Sequence, residues 1–274
     1  RLSMSNGMSF DLIGTEGGLL AAPVTLTEMT LASAERADIL VDFSQFPAGT
    51  EIELVNSAPA PFPGDAGVGV LPRVMKFVVT ADTGPVVSTP QTLSAFEAID
   101  ESESIRQRDL VLSRESDPCA GAIWEINGLK WQDITERPIL GSTEIWRFVN
   151  PSNTVHPMHM HLVFFQVLDR TPIELVDGQP VATGPSVPPG PAESGWKDTV
   201  RVGPGEMVRV IARFEDYTGL FPYHCHILEH EDHEMMRQFE VVRCRCDLNA
   251  SGPVFPDGAD FNAFLAAFFN PGPG

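Results

Sequence analysis

Basic residues are scarce in this chain: 18 Lys and Arg face 37 Asp and Glu among 274 residues, a formal charge of −19. So acidic a surface repels phosphate backbones and anionic lipid heads, which argues against a nucleic-acid or membrane-surface partner. Cysteine is scarce too, with four in the chain, which excludes a disulfide scaffold. No apolar run approaches the roughly 20 residues that span a bilayer. Neither an initiator Met nor a charged-then-apolar leader precedes RLSMSNGMSF. No signal peptide is therefore visible, although a processed chain would look the same. Long amphipathic helical stretches are missing before the C-terminal segment, and no internal repeat has a clear period.

Histidine is absent from most of the chain. All seven residues (His156, His159, His161, His224, His226, His230 and His233) fall in two short clusters, 156–161 and 224–233. Scattered surface histidines would not do this. The pattern predicts two places that meet in space and need imidazole.

What fills the rest is β texture. Segments such as RADILVDF (36–43), VMKFVVT (74–80), EIWRFVN (144–150) and MVRVIARF (207–214) are short and rich in β-branched and aromatic residues, with Gly, Pro, Asn or Asp between them. This predicts an all-β fold of the sandwich or barrel kind. Residues 1–80 read as one β unit. Residues 81–108 are polar, with early Pro and a later acidic cluster, and read as a linker or a long surface loop. Residues 109–243 read as a second β unit holding every His, and 244–274 as a distinct tail.

The two clusters are HPMHMHL (156–162) and HCHILEHEDHEMM (224–236). Successive side chains of a strand point to opposite faces. His224 and His226 then share a face while Cys225 points the other way, and His159 pairs with His161 likewise. A thiolate, two imidazoles and a weak thioether make the trigonal site of a blue copper centre. Cys225, His230, Met235 and His156 supply that set. Structural zinc is the rival, but it favours more thiolates or an open water position and leaves His159, His161, His224 and His226 idle.

These motifs resemble the last two copper signatures of the multicopper oxidases. The flanks extend the match: NGLKWQDITERPILGSTEIWRFVNPSNTVHPMHMHLVFFQVLDR and GWKDTVRVGPGEMVRVIARF resemble the C-terminal cupredoxin domain of spore-coat-type bacterial laccases. HEDHEMM also resembles bilirubin oxidases, and SNGMSFDLIGTEGGLLAAPVTLTEMTLASAERADILVDF resembles the later part of the group's middle domain. The resemblance implies Greek-key β-sandwich domains of cupredoxin type: part of the middle one in 1–80 and a complete copper-binding one in 109–243.

It also implies roles. His156, Cys225, His230 and Met235 would bind a type 1 copper that takes single electrons from an organic donor. His159 would serve the type 2 copper, and His161, His224 and His226 the type 3 pair, of a trinuclear cluster that reduces dioxygen to water. Cys225, between His224 and His226, would carry electrons through backbone. Glu231, beside a ligand, would help deliver protons or else be one more solvated acid; His233 has no carried-over role. The family's cluster takes eight histidines in four pairs, whereas this chain offers four. The expectation is therefore a fragment lacking the N-terminal His-x-His motifs, inactive towards dioxygen by itself.

Cys119 in SDPCAG reads as a plain thiol or half of a disulfide, and Cys244 with Cys246 as disulfide partners of Cys119 or of a missing segment rather than a second metal site, in an exported protein, secreted or in the cell envelope. The tail begins like an oxygen-ligand calcium loop at Asp247, Asn249 and Ser251, with Asp260 closing it. A short helix follows, with Phe261, Phe264, Leu265 and Phe268 on one stripe. This tail resembles a dockerin-like repeat and suggests a protein partner, with Pro253, an overlong loop and a single copy as departures. The functional expectation is a laccase-like oxidase of phenols or similar donors. A non-enzymatic blue-copper electron carrier has no use for four extra imidazoles. A cuprous or other metal-ion oxidase would need a Met-rich segment, and Met158 and Met160 read as core. Trp196 reads either as a donor-site wall or as a core residue.

Overall fold

The computed structural model describes residues 1–59, 64–65, 69–81, 88–119 and 121–243. The first unit contains β1 (Leu2–Met4), β2 (Phe10–Thr15), β3 (Gly18–Leu26), β4 (Glu28–Met29), β5 (Asp38–Leu40), β6 (Glu51–Asn56) and β7 (Arg73–Val78). They form two sheets, ordered β4-β1-β6-β7 and β3-β2-β5. In β6, Ile52 and Leu54 are buried while the glutamates at 51 and 53 point outward. That period of two builds a small core with Met4, Phe10 and Met29.

The second unit contains β8 (Ser104–Asp117), β9 (Gly121–Ile126), β10 (Thr143–Asn150), β11 (His156–Met160), β12 (Phe165–Val176), β13 (Gln179–Ala182), β14 (Thr199–Val202), β15 (Glu206–Arg213), β16 (Gly219–Cys225), the one-turn helix α1 (Leu228–Glu231) and β17 (Met236–Val241). A six-stranded sheet, β13-β12-β15-β10-β8-β9, faces a four-stranded one, β14-β11-β16-β17. One core joins the two: Trp146, Phe148, Val208 and Val210 from the first sheet meet Met158, Val200, Cys225 and Phe239 from the second. The chain is thus an all-β sandwich, as its texture predicted.

Strand β10 shows why this sheet is central. Nearly every residue in it is buried. Trp146 and Phe148 fill the sandwich core, while Ile145 points to the opposite face against Ile99 and Ile211. A strand covered on both sides must be apolar on both.

Residues 104–108, placed in the linker by sequence, belong to β8. Their polar run hides a strand because its charges are paired. Arg108 is buried and forks onto Glu144 at 2.5 and 2.8 Å. The preceding segment is tacked to both units. Leu93 N donates to the Ala21 carbonyl at 2.9 Å, and Gln166 accepts from Ile99 N at 2.9 Å. Among the described residues no helix is long and apolar enough to cross a membrane.

Candidate metal centre

Register places the clusters. Strands β11 and β16 run antiparallel with Met158 opposite Cys225 and His159 opposite His224. Odd and even positions then separate. Met158, Met160, Tyr223 and Cys225 enter the core, and His159, His161, His224 and His226 gather on the other face. The thioethers of Met158 and Met160 are therefore packed away, with 0% and 1% exposure.

On the core side stands the first donor set. His156 and Cys225 are fully buried, and α1 turns the chain back so that His230 is buried beside them. Cys225 Sγ lies 3.7 Å from His156 Nδ1 and 3.6 Å from His230 Nδ1, and the two nitrogens are 3.2 Å apart. Metal–sulfur and metal–nitrogen bonds of about 2.3 and 2.0 Å at ~120° would set sulfur and nitrogen ~3.7 Å apart. The two sulfur–nitrogen edges, 3.7 and 3.6 Å, have that length, so a soft thiolate–imidazole set fits a copper ion. Met235 is fully buried, and its carbonyl accepts from Cys225 N at 3.1 Å.

Around this set the walls are aromatic and tight. Trp124 stacks on His230 with centroids 3.9 Å apart and meets His156 edge-on at 5.3 Å. The Ser152 hydroxyl lies 3.1 Å from His156 Nε2, fixing the ring from behind. Burial lowers His156 to about 3, helped by nearby His230. It lowers His230 to about 4, with His233 and Arg114 contributing and Glu229 opposing. Burial also pushes the Cys225 thiol up to about 12, against the Ile227 amide. Without a cation the set is thus neutral; a bound cation reverses that preference and displaces the thiol proton.

Across the strand, the metal-binding atoms of His159, His224 and His226 all lie within 4.8 Å of one another. His161 Nε2 joins them, 3.3 Å from His224 Nε2, the separation of two imidazoles about 2.0 Å from one ion. His161 is exposed and falls to about 4, first through burial and then through His159, His224 and His226. Glu231 Oε2 stands 3.3 Å from His224 Nδ1 but outside hydrogen-bond geometry, so it is buried without a hydrogen-bond partner.

Residues 112–243 match the family model described as multicopper oxidase. The chain belongs to the multicopper oxidase family. It is 40% identical to a laccase of Bacillus subtilis over 248 residues, covering 88% of this chain and 48% of that protein. A laccase of Haloferax volcanii is also 40% identical, over 79% of this chain and 35% of its own length. A multicopper oxidase of the hyperthermophile Aquifex aeolicus superposes with a TM-score of 0.71 at 32% identity, covering 88% of this chain and 52% of that one. The chain spans about half the length of the curated Bacillus relatives it matches. Family membership implies copper.

Several predicted residues lie elsewhere. Trp196 is at the junction of the two units, where its carbonyl accepts from Thr15 Oγ1 at 2.8 Å, and is not beside the Cys225 set. His233 is exposed; its carbonyl accepts from Trp124 N at 2.9 Å and its N–H donates to the His230 carbonyl at 3.2 Å. Cys119 is an exposed free thiol. Asp247, Asn249, Asp260, Cys244 and Cys246, with the whole dockerin-like tail, fall outside the described residues. Sequence reading missed Trp124 and Ser152, because no spacing links AIWEI or PSNT to the metal motifs.

Proposed function

We propose that the protein acts as a laccase-like multicopper oxidase, taking electrons one at a time from an organic donor and passing them to dioxygen. The carrying observation is that Cys225 and its two neighbours belong to different donor sets on opposite faces of one strand. An electron carrier needs only the first set. Copper, when bound, supplies the one-electron redox chemistry that these side chains lack.

His156, Cys225, His230 and Met235 hold the electron-accepting site, and burial excludes water from it. The peptide bonds from Cys225 to His224 and His226 make a covalent route to the oxygen side. There His159 serves as the type 2 ligand, with His161, His224 and His226 as type 3 ligands. These are four of the eight imidazoles that the family resemblance implies, so this chain alone is expected to hold the blue site without turning over dioxygen. Reduction to water consumes protons as well as electrons. Glu231, whose Oε2 stands 3.3 Å from His224 Nδ1 without a hydrogen bond, would hold and deliver them.

A cavity of about 330 Å³ fits the donor. Leu31, Ala58, Val155, Pro157 and Ile227 make its wall apolar, and it touches the residues next to His156 and His226. An aromatic ring suits such a wall better than a hydrated metal ion. Calcium at Asp247, Asn249 and Asp260, and a protein partner for the tail, belong to the same proposal on sequence pattern alone.

Loading with Cu(II) in air tests the reading. An intense thiolate-to-copper absorption band is expected, and Cys225→Ser is expected to abolish it. A colourless loaded protein, or a band that survives Cys225→Ser, overturns the assignment.

A further inference from the structure

One stretch of backbone, residues 195–199, joins the first unit to the histidine cluster. It leads into β14, where Thr199 lies opposite His159. Its upstream part is held by the first unit. The Trp196 carbonyl accepts from Thr15 Oγ1 at 2.8 Å and from Gly17 N at 2.9 Å. The two backbones come so close that a Cβ on Gly17 would stand 2.3 Å from the Trp196 Cβ. Lys197, its side chain 2% exposed, sits between Glu16 at 2.9 Å and Glu35 at 3.2 Å.

Asp198 comes next, and Arg36 grips it with both prongs. Nη1 reaches Oδ1 at 2.9 Å and Nη2 reaches Oδ2 at 2.7 Å. Arg36 is itself braced, since Nη1 also donates to the Ala34 carbonyl at 2.7 Å. Ala34 has φ of 67°, a left-handed conformation that Ala adopts at a cost. That turn aims Glu35 and Arg36 together at the strap.

On the far side of Asp198 stands His159. Its Nδ1 lies 2.9 Å from the Asp198 carbonyl oxygen and 3.1 Å from Thr199 Oγ1. A carbonyl only accepts, so Nδ1 carries the hydrogen and Nε2 keeps its lone pair for a metal. The Thr199 hydroxyl donates to Asp198 Oδ1 at 2.8 Å, which leaves its oxygen free to accept from the imidazole. The carboxylate that Arg36 holds therefore fixes both acceptors of His159.

We propose that Arg36, on the first unit, is a positioning residue for the histidine cluster of the second. Through Asp198 it sets the tautomer and ring orientation of His159, so that copper affinity at the cluster depends on the docking of the first unit. The inference rests on the reading that the cluster binds copper. Partners of this outer kind are worth about 10- to 100-fold in metal affinity where they orient a ligand. A surface ion pair without that role would leave the metal's spectrum unchanged.

The test compares parent, Arg36→Leu and Arg36→Lys in the copper-loaded full-length protein. Copper content, visible absorption, EPR and competition with a chelator are read together. Arg36→Leu is expected to keep the blue band while losing cluster copper to the chelator about tenfold more readily, with a changed hyperfine splitting of the non-blue Cu(II) signal. Arg36→Lys, a charge without the fork, is expected to fall between. Unchanged EPR and chelation in Arg36→Leu, with non-blue copper present in the parent, overturns the inference alone. Loss of both copper signals together overturns it too, because Arg36 would then support the fold as a whole. A parent without non-blue copper overturns the underlying reading and the inference with it.

Discussion

The two donor sets lie one residue apart in sequence and are built in contrasting ways. The Cys225 set is dry and local: His156, Cys225 and His230 are buried, and β11, β16, α1 and the Trp124 wall all belong to the second unit. The histidine cluster is wetter and shared. His161 is exposed, His159 and His226 are half-buried, and the first unit reaches the cluster through Arg36 and Asp198. A one-electron site gains from water exclusion and a fixed ligand frame. A site that must admit dioxygen and protons has to stay open, so its order is supplied from outside its own sheet.

The largest effect expected is a clean separation of the two sets. Cys225→Ser should remove the blue absorption completely while non-blue EPR-active copper remains at the histidine cluster. Loss of both would show the sets to be one site. Next comes the joint. Lys197→Met leaves the Glu16 carboxylate buried without its cation, while Glu35 keeps Arg201 at 2.9 Å, and should cost about 3–5 kcal/mol in denaturant unfolding. Its copper loss should be greater at the histidine cluster than at Cys225, and equal loss would contradict the contrast drawn here.

A smaller effect should appear with pH in the metal-free protein. Burial holds His156 near 3 and His230 near 4 when folded, against an ordinary value of 6.5. Between pH 6.5 and 4 the unfolded chain therefore binds more protons than the folded one. Stability should fall as pH falls through that window and stay flat just above it. Thermal melts across that range check the slope, and the copper-loaded protein should resist the fall until the ligands protonate. The smallest effect belongs to Arg213→Leu, which removes an exposed fork on Glu103 far from either set. It should change stability by about 0–1 kcal/mol and leave both copper spectra unchanged, a control for Arg36.

Much of this was legible beforehand in particular residues. Strand alternation alone separates Cys225 from His224 and His226, because a period of two needs no tertiary information. The sequence also marked Met158 and Met160 as core, since they alternate with the imidazoles. Trp196 stayed open between donor-site wall and core, because a Trp beside a charged run carries no sign of which it faces; it packs against the Ile99, Ile145 and Ile211 core. The start of β8 was missed because Arg108 looks like a loop residue until Glu144 is seen to neutralise it.

The sequence by itself determined which donors one strand presents on each face: Cys225 on one side, His224 and His226 on the other. Local stereochemistry enforces that result whatever the rest of the chain does. Only the tertiary structure decided how those donors are held. Trp124 against His230, Ser152 behind His156 and Arg36 across the joint depend on packing between segments far apart in the chain. No local periodicity encodes such long-range contacts, since each partner's own neighbours in sequence are indifferent to it.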